Sequence, residues 1–173
     1  HLCEHVESSG FKPDVVLGIS RGGLIPSVML SHCWDIPMIP LRWSTRDHLY
    51  TDADTVAEII KEVEDGKRLL IVDDICDTGG TLVKAAGLLK EKGARTVRAL
   101  ITHPVLSGNA YENIENSVLE ELVVCDTIPL KQESSKIKVL TVADLFAIAI
   151  RNAYENKSIT SLFVHSQLKA RNQ

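Results

Sequence analysis

Residues 69–82 read Leu-Leu-Ile-Val-Asp-Asp-Ile-Cys-Asp-Thr-Gly-Gly-Thr-Leu. An apolar strand runs into two adjacent acids, then a third, and then into Thr-Gly-Gly-Thr, which opens a helix. A helix start of this kind leaves backbone N–H groups without intrahelical partners, and those groups attract anions. Asp77, Thr78, Gly79, Gly80 and Thr81 thus form a loop suited to a phosphate. The two glycines allow close backbone approach and positive φ. Asp73 and Asp74, at the end of the strand, can accept hydrogen bonds from sugar hydroxyls. An ordinary helix cap needs one acid or one hydroxyl. Three acids and two threonines around two glycines fit a sugar phosphate better.

The rest of the chain alternates apolar strands with helical patterns, which predicts a parallel α/β sheet. Strands are expected at 14–19, 36–41, 68–72, 96–102 and 121–125, with a further short strand at 137–140. Helices are expected at 22–33, 55–63, 81–92, 109–116 and 142–156, and residues 2–9 read as the end of another. Gly93 stops the third of these. Residues 42–54 are polar and aperiodic and read as a long loop. The turn after the first strand, Gly-Ile-Ser-Arg-Gly-Gly at 18–23, is a second glycine-rich turn before a helix. Ligands of open α/β sheets bind beyond the carboxyl ends of strands at the topological switch point. Two such turns therefore place the first and third strands side by side, in the order 2-1-3-4-5.

At 173 residues the chain is long enough for one well-buried domain, and its net charge of −4 gives no bulk attraction to nucleic acid. Cys3, Cys33, Cys76 and Cys125 form no C-x-x-C pair, which argues against a zinc site or disulfide framework and for a reducing compartment. Cys76 reads as a small residue filling space beneath the loop. No apolar run approaches the ~20 residues of a membrane span, and no secretory signal is seen. Because the chain begins at His1 rather than Met, it is expected to lack leading residues.

The 69–82 segment resembles the phosphoribosyl pyrophosphate (PRPP) motif of type I phosphoribosyltransferases and the matching loop of PRPP synthetases. Residues 14–27 resemble the pyrophosphate loop of purine phosphoribosyltransferases. Residues of roughly 11–58, with Pro-Leu-Arg-Trp-Ser-Thr-Arg-Asp at 40–47, look like a xanthine-guanine or hypoxanthine enzyme. Residues of roughly 66–163 look like the C-terminal domain of a PRPP synthetase. The strings that carry this second likeness are Thr-Leu-Val-Lys-Ala-Ala at 81–86, Thr-His-Pro-Val-Leu-Ser-Gly at 102–108, Leu-Glu-Glu-Leu-Val-Val-Cys-Asp-Thr-Ile-Pro-Leu at 119–130 and Ser-Ile-Thr-Ser-Leu-Phe at 158–163. A natural fusion or an engineered chimera would produce such a change of resemblance.

The resemblance implies a single type I phosphoribosyltransferase domain over 1–163 with a polar tail at 164–173. Its core would be a five-stranded, mainly parallel sheet flanked by helices. It implies a Mg²⁺-dependent, cytoplasmic homo-oligomer that transfers phosphoribose from PRPP to a purine base, without nucleic-acid or membrane partners. The alternatives are a PRPP-synthetase-like domain acting on ribose 5-phosphate, and a non-catalytic hybrid that binds PRPP or a nucleotide.

By the same resemblance the 5-phosphate sits on Asp77–Thr81. Ser20, Arg21, Gly22 and Gly23 cradle pyrophosphate, and Asp73 and Asp74 hold the ribose hydroxyls and Mg²⁺. Arg42 and Arg46 reach over from a mobile loop. Asp77 is the candidate general acid or base at purine N7. Two departures weigh against a purine enzyme. The lysine expected after the fourth strand is replaced by Thr102-His103-Pro104, which leaves His103 to read a 6-oxo group. No aromatic residue follows the fifth strand.

Overall fold

The structure, a computed structural model, describes residues 6–7, 9–41 and 66–160. The loop expected at 42–54, the helix at 55–63 and the tail at 164–173 lie outside these. The described residues contain β1 (Val15–Ile19), α1 (Leu24–Trp34), β2 (Met38–Leu41), β3 (Arg68–Cys76), α2 (Gly80–Glu91), β4 (Thr96–Pro104), α3 (Ala110–Glu115), β5 (Glu121–Cys125), β6 (Ile137–Leu140) and α4 (Ala143–Tyr154). The described residues up to Leu140 form one compact unit and those from Thr141 onward another.

In the first unit, six strands form a parallel sheet in the order β2-β1-β3-β4-β5-β6. The expected order of the first five strands is found, and β6 extends that sheet at its edge. The segment leading to β6 is tied to α3. The Glu115 carboxylate accepts bonds from Ser134 Oγ (2.5 Å) and the Ser135 N–H (2.9 Å), and Tyr111 Oη accepts from the Lys131 N–H (2.9 Å).

A parallel sheet buries both faces, so its central strands are apolar throughout. All five residues of β1 are buried. Alternation divides the core in two. Val15, Leu17, Ile19, Leu69 and Ile71 face one cluster, which takes in Leu82, Ala85, Ala86 and Leu89 of α2. Val16, Leu70 and Val72 face the other, with Leu30 of α1 and Phe11. Helix α1 sits tight against β1 because two small residues meet there. Ser27 is fully buried and donates to the Gly23 carbonyl at 2.6 Å. A Cβ on Gly18 would stand 2.7 Å from Ser27 Oγ.

The helix ends follow from local chemistry. Helix α1 stops at Asp35, whose φ of 52° is left-handed and whose N–H reaches the Ser31 carbonyl. Asp and Asn tolerate that conformation better than most side chains. After α2, Gly93 takes φ 103°, as its stop position requires. In the second unit, α4 carries Asp144 in its first turn and Arg151 in its last, complementing the helix dipole.

Strands β3 and β4 run longer than their apolar stretches suggest. Their ladder continues through Asp73↔Ile101 and Ile75↔His103 to Cys76↔Pro104. Asp73 therefore lies on paired strand backbone, and Asp74 lies within the same strand. Acids are disfavoured in strands by propensity, and cross-strand pairing overrides that preference here.

At the opposite end of the sheet, Asp14 accepts bonds from the Arg68 N–H (2.8 Å), Nε (3.0 Å) and Nη2 (2.8 Å). Hydrogen bonding from the Arg68 side chain holds the Asp14 carboxyl below its ordinary 3.8. The pair is about one-third exposed, so Asp14→Asn should cost about 0.5–1 kcal/mol at neutral pH. A lowered folded-state pKa contributes stability above the unfolded value and loses it as pH falls through the folded value. Urea midpoints of parent and variant should accordingly draw together as the pH falls below 3.8 and on through the lowered folded value. A constant gap from neutral to acid pH would mean that the ion pair is not its source.

Candidate active site

The loops after β1 and β3 meet at the switch point and enclose a cleft of about 350 Å³. Ser20 and Arg21 line it from one side. Asp73, Asp74, Asp77, Thr78, Gly79, Gly80 and Thr81 line it from the other. Helix α2 begins after Gly79, which takes φ 72°. It has no side-chain cap and no acid in its first turn. Helix α1 begins after Gly23 in the same uncapped, acid-free way. Two helix starts of this type give the cleft region a positive dipolar character.

The glycines serve different ends. Gly79 alone of the two in Thr-Gly-Gly-Thr needs positive φ; Gly80 is already helical. Gly22 and Gly23 sit behind the cleft rather than lining it. A side chain on Gly22 would overlap the Asp74 carboxylate, and one on Gly23 would overlap the Val72 carbonyl. Their absent side chains let the first loop lie directly against the end of β3.

Three carboxylates line the cleft, and Arg21 is the cation among its described lining residues. Burial, followed by the neighbouring Asp74 side chain, pushes Asp73 up to about 7. The Asp74 N–H donates to Asp73 Oδ1 at 2.9 Å and partly offsets this. Asp73 is thus an acid whose charged form lacks solvation and would gain from a cation. Among the described residues no group of three or more His, Cys, Asp or Glu side chains could hold a metal. Magnesium does not need one. It is commonly held by one or two carboxylates together with substrate phosphates and water, and Asp73 with Asp74 fits that donor set.

Cys76 is buried, and burial pushes its thiol up to about 12, with the Asp73 charge adding to the effect. It stays protonated and fills space under the loop. Asp77 accepts a hydrogen bond from Ser107 Oγ on Oδ1. His103 is not among the residues lining the cleft. Its Nδ1 lies 2.9 Å from Thr127 Oγ1, and that hydroxyl donates its one proton to the Thr102 carbonyl at 2.9 Å. His103 Nδ1 must therefore donate, which leaves an acceptor at Nε2 of the neutral ring. Arg42 and Arg46 lie outside the described residues. Sequence reasoning missed Ser107 and Asn113, whose side chains reach the Asp77 carboxylate and the Thr78 carbonyl.

A parallel α/β sheet with glycine-rich loops after β1 and β3 meeting over paired acids defines a fold of the phosphoribosyltransferase type. Its crystal-structure counterpart in the phosphoribosylpyrophosphate synthetase from Mycobacterium smegmatis superposes with a TM-score of 0.71 at 26% identity, covering 90% of this chain and 50% of that one. Residues 53–164 match the phosphoribosyl synthetase-associated domain, and the chain belongs to that family. A ribose-phosphate pyrophosphokinase of Wolinella succinogenes is 61% identical over 109 residues, covering 63% of this chain and 35% of the relative. One from Helicobacter hepaticus is 41% identical over 160 residues, covering 92% and 50%. The chain thus spans about a third to a half of the curated relatives it matches.

These relatives overturn the purine-salvage expectation in favour of the synthetase-like alternative. The matching enzymes are pyrophosphokinases, and His103, the candidate reader of an oxopurine, does not line the cleft. The proposed role of Asp77 at purine N7 falls with that expectation. The Helicobacter relative aligns through both parts of the chain, so the change of resemblance near residue 66 does not by itself mark a junction. Among the described residues no helix is long and apolar enough to cross a membrane.

Proposed function

We propose that the chain supplies the ribose 5-phosphate half of a ribose-phosphate pyrophosphokinase site, which moves pyrophosphate from ATP to ribose 5-phosphate. The observation that carries this reading is the uncapped start of α2 beside Asp73 and Asp74, in a chain whose relatives are pyrophosphokinases. The 5-phosphate would sit on Asp77–Thr81, with Asp73 and Asp74 holding the ribose hydroxyls. Ser20 and Arg21 would border the transferred pyrophosphate, Gly22 and Gly23 would seat that loop against the end of β3, and Arg42 and Arg46 would be further contacts to it. The ribose 1-hydroxyl would attack the β-phosphorus of ATP and lose its proton to solvent, while the bond from the β-phosphorus to the bridging α-phosphate oxygen breaks to release AMP. Asp73 and Asp74 would hold Mg²⁺, which supplies screening of phosphate charge. The chain's own residues fix the sugar at both ends, so attack becomes a matter of alignment. The reading also puts the protein in the cytoplasm, where ATP is available and its thiols stay reduced, and takes it as a homo-oligomer.

The test is calorimetry with ribose 5-phosphate, with and without Mg²⁺, followed by incubation with ATP and identification of AMP and PRPP. Mg²⁺-dependent binding of ribose 5-phosphate is expected. PRPP with purine bases should yield no nucleotide. A chain that binds no ribose 5-phosphate at millimolar concentration would sink the reading.

A further inference from the structure

We infer that Ser107 and Asn113 are positioning residues that hold the 77–81 loop in its anion-binding shape; the inference rests on the reading of that loop as the 5-phosphate site. Four hydrogen bonds arrive on consecutive loop residues from the segment between β4 and α3 and from α3 itself. The Leu106 N–H donates to the Cys76 carbonyl at 3.1 Å, and the Ser107 N–H to the Asp77 carbonyl at 2.9 Å. Ser107 Oγ donates to Asp77 Oδ1, and Asn113 Nδ2 donates to the Thr78 carbonyl at 3.0 Å.

The carbonyls matter because of peptide geometry. In a trans peptide the C=O of one residue and the N–H of the next point in opposite directions. Tying the carbonyls of Cys76 and Asp77 to the β4–α3 segment turns the N–H groups of Asp77 and Thr78 away from it. Asp77 and Thr78 line the cleft, while Leu106, Ser107 and Asn113 do not. The brace therefore grips the loop from behind and aims its donors outward. A Cβ on Gly79, which precedes the helix at φ 72°, would meet Ile114 of the same α3 at ordinary contact distance, 3.6 Å.

A second observation supports a dedicated device. Leu106 is buried in the core yet held at φ 46°, a region that non-glycine residues seldom occupy. That conformation brings adjacent N–H groups, those of Leu106 and Ser107, onto adjacent loop carbonyls. The Asp77 carboxylate, engaged by Ser107, shapes the loop here rather than awaiting a proton from substrate.

The experiment measures ribose 5-phosphate affinity with Mg²⁺ and amide hydrogen exchange without ligand, in the parent, Ser107→Ala, Ser107→Thr and Asn113→Ala. Ser107→Ala should weaken binding about ten-fold through a loosened support shell, and Ser107→Thr should recover most of it. Exchange at residues 78–82 should rise in both alanine variants while the centre of β3 stays protected. If Ser107→Ala fails to fold, Asn113→Ala carries the same two readouts with the Ser107–Asp77 bond intact. Parent-like affinity and exchange in the folded variants would overturn the inference. A parent that binds no ribose 5-phosphate would refute the proposed function instead, and the exchange data would still judge the brace.

Discussion

Gly23→Ala should lose about 3 kcal/mol or more of stability, beyond the usual 1–3 kcal/mol of overpacking, because the colliding atoms are backbone. A Cβ at Gly23 overlaps the Val72 carbonyl and stands 2.9 Å from both the Asp73 Cα and the Ile19 carbonyl. None of these can rotate away. The loop after β1 and the end of β3 would have to separate, and Asp73 would move with them. Conformational strain is not the cause, since Gly23 has φ −70° and ψ −12°, which alanine adopts readily. Gly80→Ala provides the contrast. Its Cβ would meet only Thr78 Oγ1, at 3.7 Å, and Gly80 is helical. That variant should stay within about 0.5 kcal/mol of the parent. Urea unfolding of both variants checks the pair. An unchanged midpoint for Gly23→Ala would mean that the two loops do not meet as described.

Asp73→Asn should trade function for stability. Asp73 has its pKa raised by burial to about 7. An acid raised above its unfolded value of 3.8 favours folding most when protonated in both states, below about pH 4. That contribution is lost as pH rises through the folded value near 7. Above it the folded state carries a poorly solvated carboxylate. At pH 8 without Mg²⁺, Asp73→Asn should melt above the parent, and the two curves should approach each other toward pH 4. Mg²⁺-dependent ribose 5-phosphate affinity should move the other way. The variant should bind at least about ten-fold more weakly, having lost a charge-assisted ligand. The parent's own affinity should decline as pH falls through 7. A variant less stable than the parent at pH 8, with unchanged affinity, would show that Asp73 is a structural acid.

Much of this architecture was legible because parallel sheets write themselves into sequence as unbroken apolar runs. The strand at 121–125 carries such a run from Leu122 to Cys125, and its bounds match the expected ones, as do those of the edge strand at 137–140, where Lys138 interrupts the pattern. The order of the first five strands followed from two glycine-rich turns that had to share one crevice. What misled was the base. The resemblance of 11–58 to purine enzymes points to an oxopurine, whereas two departures, the missing lysine and the missing aromatic residue, point away from one. Those departures were the better guide, because a binding site is defined by the groups that touch the ligand rather than by the loops that all relatives share.

The sequence by itself determined one wall of the cleft. Asp73, Asp74 and the 77–81 loop are contiguous, so one strand–turn–helix brings them together whatever surrounds it. The tertiary structure alone decided how that loop is held and charged. Ser107 and Asn113 reach it from about thirty residues away, and no local pattern signals a side chain that bonds to a distant carbonyl. Likewise, Gly22 and Gly23 look like flexible phosphate-loop glycines in sequence, yet they are glycines because another strand occupies the space of their side chains. The raised pKa of Asp73 has the same origin. Its protonation depends on desolvation by neighbouring strands and loops, a quantity that exists only once the chain has packed.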